Sequence, residues 1–205
     1  MKTTHCSNLL KYILMVLSFL LIFACLFPFY KVDVDELTET DEAAATLVIS
    51  EISTKVDPED NSSNVRFNGN IGVLNTITGS TGDVQSGTLS FYTYVLLFIP
   101  ILMFVAFFLW RWLSDTVTGI IVAILAVIEF TFSLLVGGAA TSAYNAAFPT
   151  LASYDVLRST LMLTITTVAS AVIFALSIFL ALWNTIFAVK GAPAKAAEWS
   201  NRMIK

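Results

Sequence analysis

The chain has 205 residues, of which 57% are hydrophobic and only 13% charged, with a formal net charge of −4 and a mean hydropathy of +0.79. A soluble domain carries about a quarter charged residues. The composition therefore excludes an ordinary soluble enzyme and predicts a polytopic membrane protein, with the lipid bilayer as its first partner and no nucleic-acid role.

Residues 1–30 read as a cytoplasmic flank and first span. Lys2 and Lys11 precede an uncharged run over Tyr12–Tyr30. The pattern of Lys2, His5 and Lys11 before an apolar stretch also fits a signal peptide. Ile22-Phe23-Ala24-Cys25 resembles a lipoprotein cleavage box, which would make Cys25 the lipidated residue. Phe23 is bulky for that box, and apolar sequence continues through Leu26, Phe27 and Phe29, so a retained anchor is expected.

Residues 31–90 form an acidic loop domain with eleven carboxylates and three basic residues, Lys31, Lys55 and Arg66. Thr38-x-x-Asp41 has the spacing of a capping box. Glu42–Lys55 then reads as a short helix, although Thr46–Ser50 also has strand-like composition. Beyond the turn at Asp57–Asn61, Asn64–Phe67 and Asn70–Thr78 flank Asn68-Gly69, a pair that favours a tight hairpin turn. Val65 and Phe67 would then share an apolar side with Ile71 and Val73. The loop contains no cysteine, so no disulfide compensates for its small core. It has to lean on the helix ends, on a partner or on an ion.

The second span is expected within 91–112, from Phe91 to Trp110, and the third within 116–137. A short outer loop covers 138–158, the fourth span lies within 159–189, and a basic tail occupies 190–205. A hydrocarbon core about 30 Å thick needs roughly 20 helical residues, so each run suffices for one crossing. Helices are required because lipid offers no partner to unpaired backbone groups. The predicted class is thus an all-α membrane protein, a four-transmembrane-helix bundle with a partly β extracytoplasmic first loop.

Placing both termini in the cytoplasm puts seven Lys and Arg inside and four outside, as the positive-inside pattern demands. Trp110, Trp112, Trp183 and Trp199 then fall near the inner interface, and Phe29, Tyr30, Phe91, Tyr92 and Tyr94 near the outer one. The expected location is a plasma or cell membrane. In outline, four helices with a large first outer loop, the chain resembles the architecture of the claudins and peripheral myelin proteins. The first loop of that family carries a Trp, a Gly-Leu-Trp and two cysteines. Residues 31–90 contain no Trp and no Cys, so the resemblance is one of topology and transfers no site residues.

Candidate chemistry is sparse. The single histidine, His5, lies in the flank, and no phosphate loop, metalloprotease pair or nucleophile elbow occurs. No catalytic residue, cofactor or metal is expected. The acidic series from Asp33 to Glu42 lacks the glycine spacing of a calcium loop and reads as a solvated segment. Asn61-Ser62-Ser63 is a glycosylation triplet. Gly119-x-x-x-Ala123, Ala171-x-x-x-Ala175 and Ser177-x-x-x-Ala181 are small-residue spacings suited to contacts within the bundle.

Glu129 stands out as an ionisable residue set near the middle of a span. At similar depth the fourth span offers Thr164, Thr166, Thr167 and Ser170. In the second, Pro100 removes a backbone donor and frees the carbonyl of Leu96. A neutral Glu129 donating to a Thr hydroxyl or to the Leu96 carbonyl is the structural expectation. A proton or cation site is the functional one, since intramembrane ionisable residues are often functional. The expected function is a non-catalytic accessory or interaction protein that docks other membrane or surface proteins through its outer loop and helix faces. The alternative is a small channel or transporter subunit using Glu129.

Overall fold

The computed structural model describes residues 2–35, 41–54, 69–79, 81, 84–109 and 113–188. In chain order the elements are α1 (Lys2–Cys25), β1 (Tyr30–Val32), α2 (Glu42–Thr54), β2 (Asn70–Ile71), α3 (Val73–Ile77), α4 (Gly87–Phe108) and α5 (Asp115–Ala147). A 3-10 turn (Pro149–Leu151), β3 (Leu157–Ser159) and α6 (Leu161–Ala188) complete the described chain.

Four of these helices, α1, α4, α5 and α6, are long and apolar enough to cross a membrane. Each packs on two neighbours in the cyclic order α1, α4, α5, α6, which leaves α1 and α5 facing each other across the diagonal. Their outward faces carry large exposed apolar side chains such as Phe19, Phe98, Ile124 and Val168. A belt of that kind suits hydrocarbon rather than water. Serine caps mark two of the entries: Leu89 donates its N–H to Ser86 Oγ at α4 (3.0 Å) and Val117 to Ser114 Oγ at α5 (3.3 Å).

Close approach sets the α5–α6 seam. A Cβ on Gly119 would lie 2.7 Å from both the Ser177 carbonyl oxygen and the Ala181 nitrogen. The small-residue spacings of the two helices therefore meet each other within the bundle.

α5 does not stop at Gly137. Its 33 residues extend about 50 Å at 1.5 Å per residue, well beyond a hydrocarbon core. The first half of the expected outer loop 138–158 is thus helical, because its Ala-rich sequence carries no proline before Pro149. Ala140, Ala143 and Tyr144 bury this extension against Phe148 and Leu151.

The connecting segments meet at the same end of the bundle. β1 is the central strand of a three-stranded antiparallel sheet in the order β2–β1–β3. Tyr30 pairs with Ile71 on one side and with Ser159 on the other. Flanking bonds continue the ladders, from Val32 N–H to the Gly69 carbonyl (2.7 Å) and from Asp33 N–H to the Val156 carbonyl (2.8 Å).

The second strand of the expected hairpin is corrected here. Asn64–Phe67 lie outside the described residues, with Val65 and Phe67 among them, and only Asn70–Ile71 of the predicted strand Asn70–Thr78 is extended. Val73–Ile77 is helical instead. Gly72 presses so closely on Pro28 and the Phe27 carbonyl that a Cβ would sit 2.9 Å from Pro28 Cα. The chain turns there, and the Gly72 carbonyl accepts from both the N–H and the hydroxyl of Thr76. The open choice at Thr46–Ser50 resolves to helix. Asp41 Oδ1 accepts the Ala44 N–H at 3.0 Å, so Asp41 itself caps α2, and Ala44, Ala45 and Val48 bury its inner face. Thr38, the Asn61 triplet and the 190–205 tail lie outside the described residues.

Candidate functional site

α1 and α5 run in the same direction, and two polar pairs bridge them across the diagonal. Lys11 and Asp115 form an ion pair at the end opposite the sheet, with side chains only 8% and 21% exposed. Fourteen residues further along each helix, Cys25 Sγ lies 4.0 Å from Glu129 Oε1. At 1.5 Å per residue the two levels are about 21 Å apart, and Glu129 lies about 12 Å below Gly137. The Tyr30 phenol of β1 rests on Gly137. Glu129 is the fifteenth of the 33 residues of α5, near the middle of the helix.

Glu129 is fully buried. Its Oε2 makes no hydrogen bond among the described residues, and neither do the buried hydroxyls of Thr118 and Ser177 nearer the opposite end. The Leu96 carbonyl freed by Pro100 does have a donor, but it is the Cys25 thiol at 3.0 Å rather than Glu129. A thiol is a weak donor, yet it satisfies an acceptor that the buried Pro100 leaves without its helical partner.

The remaining expected partners divide, with Thr166 beside the Cys25 thiol and the others turned elsewhere. Thr167 donates to Ser133 Oγ at 3.0 Å, one turn beyond Glu129. Ser170 is buried and turns its hydroxyl back to the Thr167 carbonyl at 2.9 Å. Thr164 faces outward, away from the bundle interior. Thr166 is fully buried, with its hydroxyl on the Met162 carbonyl at 2.9 Å. The residue missing from the expected set was Cys25. The sequence did carry a signal for it, since the freed carbonyl of Leu96 needed a buried donor from a neighbouring helix.

Apolar side chains pack on both sides of the site. Between the two polar levels lie Leu14, Leu21, Met103, Val122, Ile173 and Leu180, all packed in one cluster. Toward the sheet, Phe29, Leu89, Val136 and Ala140 belong to a second. Within the described residues no group of three metal-ligating side chains occurs.

No protein-family model, curated protein or solved structure matches this chain.

Proposed function

We propose that this is a non-catalytic four-span membrane protein that docks other membrane or surface proteins through an extracytoplasmic cap. The observation that supports the reading most directly is the sheet, in which β1 from the first connection binds β3 from the second. That pairing joins two separate loops into a single surface at one end of the bundle. On the positive-inside reading this end lies outside the cell. The cap also presents apolar side chains beyond what its own packing needs: on α2, Leu47 is 45% and Ile49 53% exposed, while Val48 between them is fully buried.

The test is a Leu47→Glu/Ile49→Glu variant of the full chain, purified from its native membrane beside the wild type. Loss of specific co-purifying proteins with an unchanged thermal melt is the expected outcome. Retention of every partner would refute docking through this face of the cap.

A second reading, a small proton- or cation-conducting subunit, is favoured by the unpartnered Oε2 of Glu129. Against it stands the apolar packing on either side, although the hydroxyls of Ser18, Thr118 and Ser177 are buried between the two polar levels. We read Glu129 as a neutral group at a packing seam, because a buried charge without a counter-ion is very costly. Glu129→Gln in liposomes separates the two readings. Loss of ion flux with folding intact would install the conducting one.

A further inference from the structure

We infer that the bundle interior between Glu129 and the Lys11–Asp115 pair is a binding site for water, through which the Glu129 carboxyl exchanges its proton. Three side chains on this stretch are fully buried and carry an oxygen with no hydrogen-bond partner among the described residues: Glu129 Oε2, Thr118 Oγ1 and Ser177 Oγ. A buried polar group left unpaired bears its full desolvation penalty. Water meets such groups where the protein does not.

The register of the helices brings these groups into line. α1 and α5 keep one offset from Lys11–Asp115 to Cys25–Glu129, which sets Ser18 level with Val122. α6 runs against α5, with Ser177 and Ala181 on Gly119 and Thr167 on Ser133. Ser177 thereby reaches the level of Ser18, about 10 Å from that of Glu129. Side chains lean toward the N-terminus of their own helix. On these antiparallel helices Glu129 and Ser177 therefore lean toward each other, and Ala126 between them adds only a methyl group. A bound water needs two to four polar partners. Glu129 Oε2, the Ser177 hydroxyl and the Ser18 oxygen supply three, since Ser18 donates to the Leu14 carbonyl and still has a lone pair to offer. Water enters as the Leu21 and Ile173 side chains of this layer change rotamer.

Toward the sheet the hydroxyls are already engaged. Thr93 donates to the Leu89 carbonyl, Ser133 to that of Phe130 and Ser170 to that of Thr167. Beyond them pack Phe29, Val136 and Ala140. Hydration thus belongs to the side where Asp115, at 21% exposure, meets solvent. It gives Glu129 a contact on one side and not a path across the bundle, and it is independent of the docking reading above. In the exchange the water passes a proton to one carboxyl oxygen as the other oxygen releases its own, so the group stays neutral throughout.

The experiment is X-ray radiolysis of the full chain in phosphatidylcholine vesicles made up in heavy-oxygen water. Bound water then yields hydroxyl radicals that oxidise the side chain beside it. Met103 is the reporter, being fully buried in the same cluster and seven residues from Leu96, close to the level of Ser177. Sulfoxide carrying heavy oxygen is expected at Met103. Ser177→Val should lower it about three- to tenfold, as for one net hydrogen bond to the water, and Ser177→Thr should retain it. Thr93→Val, on the sheet side, should leave it unchanged. Thermal melts check folding, and Ser177→Ala replaces the valine variant where packing is disturbed. In heavy water, the carboxyl stretch lost in Glu129→Gln should shift before the backbone amides of the spans exchange.

Three results would overturn the inference. Unlabelled Met103 in chains whose half-buried Met162 is labelled shows a sufficient dose and no water beside the thioether. Labelling that Ser177→Val leaves at the wild-type level places the water elsewhere. A carboxyl band that exchanges no faster than the amides means that Thr118 and Ser177 turn back onto their own helices, as Thr166 does, and that the layer is dry.

Discussion

The two diagonal pairs of the bundle occupy equivalent positions on the same two helices and have opposite characters. Lys11 and Asp115 are separated by 104 residues, as are Cys25 and Glu129. The first pair joins two opposite charges at a helix end, where the Asp115 side chain keeps 21% exposure. Asp115 also opens α5 and so complements the helix dipole. The second pair sets a thiol against a carboxyl under full burial, with no cation among the described side chains nearby. A charge is accepted where water and a counter-ion reach it. Deeper in the bundle the same diagonal is bridged by a thiol and a carboxyl, and the thiol serves a neighbouring carbonyl.

Placing a charge at the deeper level of this comparison should have the largest effect. Glu129→Lys puts an ammonium into a fully buried layer beside the Cys25 thiol. A destabilisation of at least about 3 kcal/mol is expected, read as loss of folded protein after detergent extraction. A variant that folded and melted like the wild type would show that the layer solvates a full charge. Lys11→Met should cost less, about 1–3 kcal/mol, since Asp115 keeps partial hydration and the helix N-terminus. A double-mutant cycle with Asp115→Asn, measured by thermal unfolding, isolates the pair. Coupling above the 1 kcal/mol or so that bounds exposed pairs confirms that burial strengthens it.

The unequal legibility of these features has a physical cause. The spans are written in composition, because hydrocarbon forbids charge over some 20 residues and local sequence alone satisfies that condition. The continuation of α5 past Gly137 was hidden by Gly137-Gly138 and by small residues that read equally as loop. Their helical state depends on packing against Phe148 and Leu151, which come later in the chain. The sheet was less legible still. Its strands are two or three residues long, and Tyr30 finds Ser159 only after the whole bundle has brought their helices together. At the site, Glu129, Pro100 and the orphaned Leu96 carbonyl were each visible as local anomalies. Which group answered that carbonyl depended on the register of α1 against α4, information held in no single segment. Thr164, Thr167 and Ser170 were grouped by depth, but depth leaves azimuth open. Azimuth sends Thr164 outward and Ser170 inward.

The smallest expected effect tests whether the thiol is the working element of the deeper level. Cys25→Ala removes the donor to the Leu96 carbonyl and leaves a buried acceptor unmatched, at a cost of about 1–2 kcal/mol. Cys25→Ser restores an O–H in nearly the same place and should recover part of that loss, although its shorter bond to Cβ lengthens the reach to Leu96. The order wild type, then Ser, then Ala in thermal unfolding is the expected result. The Pro100→Ala background sharpens it, since restoring a helical N–H gives the Leu96 carbonyl a partner of its own. There the penalty of Cys25→Ala should shrink toward the loss of packing alone. Equal penalties in the two backgrounds would mean that the thiol fills space rather than serving the carbonyl, and the deep pair would then be a matter of shape rather than polarity.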